Sequence, residues 1–262
     1  MTDSSTDLTG NGHRHGSSIS SPPHRSDATI ATARSIAYLL LAPLPARWAH
    51  SATVAAQADE IASTVASSDR GLLVSAAWLH DIGYSPLLID SGFHPLDGAL
   101  HLIRAGAPMR LAALVAHHSE ARLLAQPRGL LDALDEFPRE DGSVTDALAY
   151  ADMTAGPTGE IMSVARRFAD IRERHADEPP DLFAARRRRE PQLLAATARA
   201  ARRLRGCGPQ TYVPESARDL TYAGSAAIHG TTIRGTTGDS TTGDSTTGDS
   251  TTGDSTTGRA HP

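Results

Sequence analysis

The sequence predicts an all-α fold: one helical domain over residues 28–205, flanked by disordered tails at 1–27 and 206–262. Three observations predict it. Aromatic residues make up only 4% of the chain, so the core must be built from Ala, Leu, Val and Ile, which suits close-packed helices better than a β-sandwich. Between residues 28 and 205 the apolar positions recur at helical spacing. No segment alternates convincingly every second residue, and no Asn-Gly or Asp-Gly turn stands between strand-like runs.

Residues 1–27 are Ser, Gly, His, Asp and Pro with almost nothing to bury, a leader in which His13 and His15 are read as solvated. Ala28 to Leu41 is the first helix, stopped by Pro43, and Ala46 to Ser67 is the second. Gly71 to Ile82 follows, closed by Gly83. Pro95 to Ala105 and Pro108 to Leu124 each carry Pro near the first turn, where its missing N–H costs nothing. Leu130 to Phe137 is short. Ser143 opens a helix with Asp146 at the capping-box position, and Gly159 to His175 and Asp181 to Leu204 complete the domain. The last helix is basic. Arg186 to Arg189, with Arg199, Arg202, Arg203 and Arg205, read as a solvated face, an RNA or acidic-partner surface being the functional alternative. Beyond Gly206 the apolar pattern fades, and residues 236–255 repeat Thr-Thr-Gly-Asp-Ser four times, with no apolar face for stacking.

Composition excludes several chemistries. All 25 cationic side chains are arginine, which removes a P-loop lysine, a Schiff base and a Ser-x-x-Lys acylase. The single cysteine, Cys207, rules out an internal disulfide and a zinc site built from several thiolates. A formal charge of −5 makes no case for general nucleic-acid binding. The longest apolar run, Ile36 to Leu44, falls far short of the roughly 20 residues that span a bilayer. With no signal-peptide core at the N-terminus, the expectation is a soluble, cytoplasmic protein. Any metal chemistry must use imidazole and carboxylate.

Six of the 12 histidines fall between residues 50 and 118. His50 shares a stripe with Val54, Gln57, Ile61 and Val65, and His80 continues one from Leu73 and Ala76 with Asp81 directly after it. Asp152 aligns with Val144 and Leu148. A carboxylate on an apolar stripe is costly unless it is paired or bound to a cation. His94 precedes Pro95 at a helix start, with Gly98 one turn on leaving room for close approach. His117 and His118 would point about 100° apart on one helix. His118 continues the stripe Leu111, Leu114, Val115 and is favoured, with His117 the fallback. Several helices each directing a His or Asp inward suit one or two divalent transition-metal ions, Mn, Fe, Co, Ni or Zn, rather than Mg or Ca alone.

At Arg47-Trp48-Ala49-His50, Ala76-Ala77-Trp78-Leu79-His80-Asp81-Ile82-Gly83 and Tyr150-Ala151-Asp152 the chain resembles the HD-domain superfamily of metal-dependent phosphohydrolases, over roughly residues 46–175. His94-Pro95 with Gly98, and His117-His118-Ser119-Glu120, resemble the extra histidines of its two-metal members. The resemblance implies an HD-type helical bundle in which His50, His80, Asp81 and Asp152 hold a first ion. Asp81 then bridges to a second ion completed by His94 and His118. His80 and Asp81 are the residues it assigns to catalysis, a metal-activated water attacking a small phosphorylated substrate. The common Gly-Lys after His-Asp-Ile is here Gly83-Tyr84, and the Gly-Tyr-Pro element of the cyclic-dinucleotide members is missing after the His pair. Phosphate recognition falls to arginine, whose planar fork suits phosphate oxygens. Arg47, one turn before His50, and Arg122, one turn after His118, are the candidates, with Arg166, Arg167 and Arg174 behind them. Two other readings are compatible with the same motifs, an HD-type di-iron oxygenase and a non-catalytic, metal-stabilised signalling module. The oligomeric state is open from sequence.

Overall fold

Pro43 and Pro45 separate the first two helices, α1 (Arg25–Leu41) and α2 (Pro45–Glu60). The computed structural model describes residues 25–207. The chain divides into two units, Met1–Leu220 and Thr221–Pro262, and the described residues all lie in the first. His13, His15 and the pentapeptide repeats lie outside the described residues. α2 ends earlier than its apolar spacing predicts. Thr64 Oγ1 donates to Ile61 O (2.7 Å), Val65 is extended, and two single 3-10 turns carry the chain to Asp69 in place of helix up to Ser67.

α3 (Arg70–Leu79) is the central element and packs against α1, α2, α5 and α8. Its residues Leu73, Ala76, Ala77 and Leu79 are all buried, and the small alanines let neighbouring helices approach closely. α4 (His94–Arg104) and α5 (Met109–His117) pack on each other across a tight turn in which Gly106 adopts φ +79°. Two short helices follow, α6 (Ala121–Ala125) and α7 (Leu131–Asp135), and then α8 (Ser143–Met153) and α9 (Val164–Arg174). Between these last two, Ala155 and Ile161 form an isolated antiparallel bridge where the sequence predicts helix from Gly159. α10 (Pro180–Gly206) lies along α8 and reaches α6 and the turn after α5. The fold is all-α, as the sequence predicts. No helix among the described residues is long and apolar enough to cross a membrane.

Two sequence expectations are corrected by α8 and α10. Gly142, not Ser143, caps α8, and no side chain closes a capping box. Asp146 instead accepts from Arg199 Nε and Nη2 and from Arg203 Nη1 at 2.6–3.1 Å, clamping α10 to α8. The basic helix is therefore not one solvated face. Arg187, Arg188, Arg202 and Arg205 are exposed, whereas Arg189 is buried and Arg186 half-buried.

Candidate metal centre

Apart from His50, the predicted ligands sit at or beside helix ends. His50 lies on the buried face of α2, His80 caps α3 with Asp81 beyond it, and His94 is the first residue of α4. His118 follows the end of α5, and Asp152 lies in the last turn of α8. Gly83 makes one junction possible. A Cβ there would lie 2.0 Å from His94 O, so only glycine lets the turn after Asp81 press against the start of α4. The other junction breaks the helix predicted from Pro108 to Leu124. His118 is extended (φ −56°, ψ 149°), and Ser119 and Glu120 take φ +50° and +56°. Neither residue is glycine, so this turn is strained at about 1–2 kcal/mol per residue. Tertiary contacts hold it. Ser119 Oγ donates to Asp152 Oδ2, and Arg189 Nη1 donates to Ser119 O at 3.0 Å.

Two triads result, His50–His80–Asp152 and Asp81–His94–His118. In the first, His50 Nε2 is 3.3 Å from His80 Nε2 and 3.2 Å from Asp152 Oδ1. In the second, His94 Nε2 is 3.3 Å from His118 Nε2. Asp81 faces both. Its Oδ2 is 3.8 Å from His50 and 3.6 Å from His80, and its Oδ1 is 3.4 Å from His94 and 3.8 Å from His118.

The donor chemistry fits divalent ions. Nδ1 of His50, His80 and His118 lies 2.9, 2.8 and 2.6 Å from the carbonyl oxygens of Gly156, Ala77 and Val115. A carbonyl only accepts, so each Nδ1 carries a proton and each ring turns its Nε2 inward, a bare lone pair whenever the ring is neutral. Two lone pairs 3.3 Å apart cannot bond to each other. A proton or a metal ion must lie between them. His94 is oriented differently, by stacking on Tyr84 at 3.9 Å between ring centroids.

Electrostatics agree. Burial disfavours charge on Asp81, but His80, His94, His50 and Arg47 outweigh it and hold the carboxyl well below the ordinary carboxylate range. Asp152 is depressed in the same way, against its burial, by the hydrogen bond from His50 and the charge on His80. Burial also opposes a charge on His50, yet the bond to Asp152 and the field of Asp81 raise its pKa. A positive charge, proton or metal, belongs between Nε2 and that carboxylate. Burial pushes His94 and His118 down, which favours the neutral form that coordinates a metal.

The triads open into a cleft of about 200 Å³. Arg47 lines it, with Nη1 3.1 Å from Asp81 Oδ2 and its guanidinium 3.9 Å above the Tyr84 ring. Arg122 does not. It pairs with Asp135 at 2.8–2.9 Å on the surface, because the break at Ser119–Glu120 removes the continuous register that would carry it to the His118 face. His117 also turns away, its Nε2 donating to Phe137 O at 2.8 Å. Of the reserve arginines, Arg166 is exposed while Arg167 and Arg174 line the cleft. Arg128, Arg186 and Arg189 line it too, and sequence reasoning missed their part in it. A signal existed for two of them. Leu182, Arg186, Arg189 and Leu193 share one helical stripe, the same pattern that singled out the histidines.

No curated protein and no solved structure matches the chain. The family model described as HD domain matches residues 47–194, more than half of the chain and a span that includes all six residues of the two triads. This chain belongs to the HD-domain family.

Proposed function

We propose that the protein hydrolyses a phosphate ester or anhydride of a small molecule, using divalent ions held by the two triads. The observation that carries this reading is Asp81, which presents one carboxylate oxygen to each triad. His50, His80 and Asp152 would hold one ion and Asp81, His94 and His118 the other. Imidazole and carboxylate donors suit Mn, Fe, Co, Ni or Zn. When bound, such ions polarise a phosphoryl oxygen and lower the pKa of a water so that it can attack phosphorus at neutral pH.

The chain's own residues prepare that chemistry. The carbonyls of Gly156, Ala77 and Val115 keep a proton on Nδ1 of His50, His80 and His118, so their Nε2 atoms stay available as donors. Ser119 Oγ fixes one oxygen of Asp152, while the other faces His50. Arg47 is positioned to receive phosphate oxygens beside Asp81 and to offset charge that gathers in the transition state. Phe93, Leu124, Met153 and Ile171 add apolar patches to the wall, which lower the local dielectric and strengthen these interactions.

The test is metal analysis after anaerobic purification, followed by phosphate release from a panel of small phosphate esters and nucleotides with each of the five metals. Release should require an added ion and fall at least 100-fold in Arg47→Ala. Unchanged turnover in His80→Ala/Asp81→Ala would sink the site assignment. Turnover that requires dioxygen would replace the hydrolase with the oxygenase.

A further inference from the structure

The cleft is more cationic than one phosphate beside two metal ions requires. Beyond Arg47 it is lined by Arg128, Arg167, Arg174, Arg186 and Arg189, while its only lining carboxylates among the described residues, Asp81 and Asp152, face the histidines, Arg47 and Arg167. Arg167 and Arg174 share Asp170, which lies one turn from each on α9. Arg128, Arg186 and Arg189 come from elements that supply none of the triad residues, the 3-10 turn Gln126–Arg128 and α10.

Two of these three form no ion pair among the described residues. Arg189 is 8% exposed and donates to Ser119 O, and Arg128 donates to Leu124 O at 2.9 Å while lying over the Phe93 ring. Arg186 alone meets a carboxylate, Glu178, at 2.5 and 2.6 Å. Gathering three guanidinium groups is unfavourable by itself. Burial, and then the neighbouring Arg186, lower the pKa of both Arg128 and Arg189, the latter to about 10. An anion placed among them relieves desolvation and repulsion together. Nearer the triads, the guanidinium of Arg167 meets Asp170 and Asp152, but its buried Nε has no hydrogen-bond partner.

The volume limits what that anion belongs to. About 200 Å³ lies below the roughly 300–1,000 Å³ of sites for drug-sized ligands, so both anionic groups fit one compact molecule better than a nucleic acid or a protein segment. We propose that the substrate is a compact bis-anion, with one phosphate at the histidine–aspartate centre and a second anionic group, phosphate or carboxylate, seated on Arg128, Arg186 and Arg189. The proposal rests on the hydrolase reading only for the fate of the first phosphate.

Calorimetric titration of the metal-loaded full chain tests it with three probes on one short linker: propyl phosphate, propane-1,3-diyl bisphosphate and 4-phosphooxybutanoate. At least one bis-anion should bind about tenfold or more tightly than propyl phosphate, the scale of one added charge-assisted pair. The bis-anion that does so identifies the second group. Arg128→Gln/Arg186→Gln should bring the affinity ratio to within about twofold, and Glu178→Gln, which frees Arg186, should raise it. Equal affinities in the wild type, or a ratio that survives the double substitution in a folded protein, overturn the proposal. If the double variant does not fold, Glu178→Gln decides, and a ratio that stays level or falls overturns it. Phosphate release separates this idea from the one it rests on. Bis-anion preference without release from any probe upholds the subsite and removes the hydrolase. Release from propyl phosphate without preference removes the subsite and leaves the hydrolase.

Discussion

A methyl group at Gly83 would lie 2.0 Å from His94 O and 2.7 Å from the amide nitrogen of Gly98, contacts that backbone cannot yield without moving α4. Gly83→Ala is expected to cost about 3 kcal/mol or more in a urea titration, the upper part of the usual overpacking range, and to lower metal content by displacing His94. A variant with wild-type stability and full metal content would show that the junction is not what positions His94. Ser119 carries the opposite kind of constraint, a left-handed backbone that its own hydroxyl helps to hold. Removing that hydroxyl leaves one Asp152 oxygen unsupported. Ser119→Ala should weaken metal binding about 10- to 100-fold, measured by competition with a chelator, as loss of an orienting partner usually does.

Among the elements, α10 packs along α8 and lines the cleft with Arg186 and Arg189. Its clamp to α8 is Asp146, whose side chain is only 3% exposed and which two half-exposed arginines hold. Asp146→Ala should lower stability by about 2 kcal/mol, the range for lost hydrogen bonds to a charged group, read from the urea midpoint. At its N-terminal end, Glu178 binds Arg186 and His175. The bond from Arg186, working against partial burial, lowers the Glu178 pKa below its ordinary 4.5. A depressed carboxyl binds fewer protons in the folded chain than in the unfolded one. Its contribution is therefore complete above pH 4.5 and fades as pH falls through the lowered value. Wild type and Glu178→Gln should differ in stability at pH 7 and converge toward pH 3. A gap that stays constant across that range would mean the pair adds nothing.

For the whole molecule, five buried or half-buried segments must meet at the two triads, so ions that bind only the folded chain should stabilise it globally. At free ion 100 times its dissociation constant that linkage is worth about 2.7 kcal/mol, and chelation should lower Tm accordingly, while His80→Ala/Asp81→Ala should not respond to chelator. A Tm indifferent to chelator in the wild type would remove the metal from the account of the fold. The helical class and the inward direction of His50, His80, His118 and Asp152 were legible in the sequence, because apolar periodicity is a local property that these residues either share or break. Arg186 and Arg189 obeyed the same rule, but a run of four arginines reads first as charge and only then as a stripe. Other features were not legible at all. The break at His118-Ser119-Glu120 has no Gly or Pro to announce it, since Asp152 and Arg189 stabilise it from distant parts of the chain. Once that break is present, Arg122 and His117 leave the site, and no reading of a continuous helix could have moved them. The sequence by itself determined the inward direction of His50, His80, His118 and Asp152 and which chemistry, imidazole and carboxylate without thiolate or lysine, was open to this protein. Only the tertiary structure decided which oxygen of Asp81 faces which pair of histidines and which arginines surround them, because those depend on where helices stop and on contacts between residues far apart in the chain.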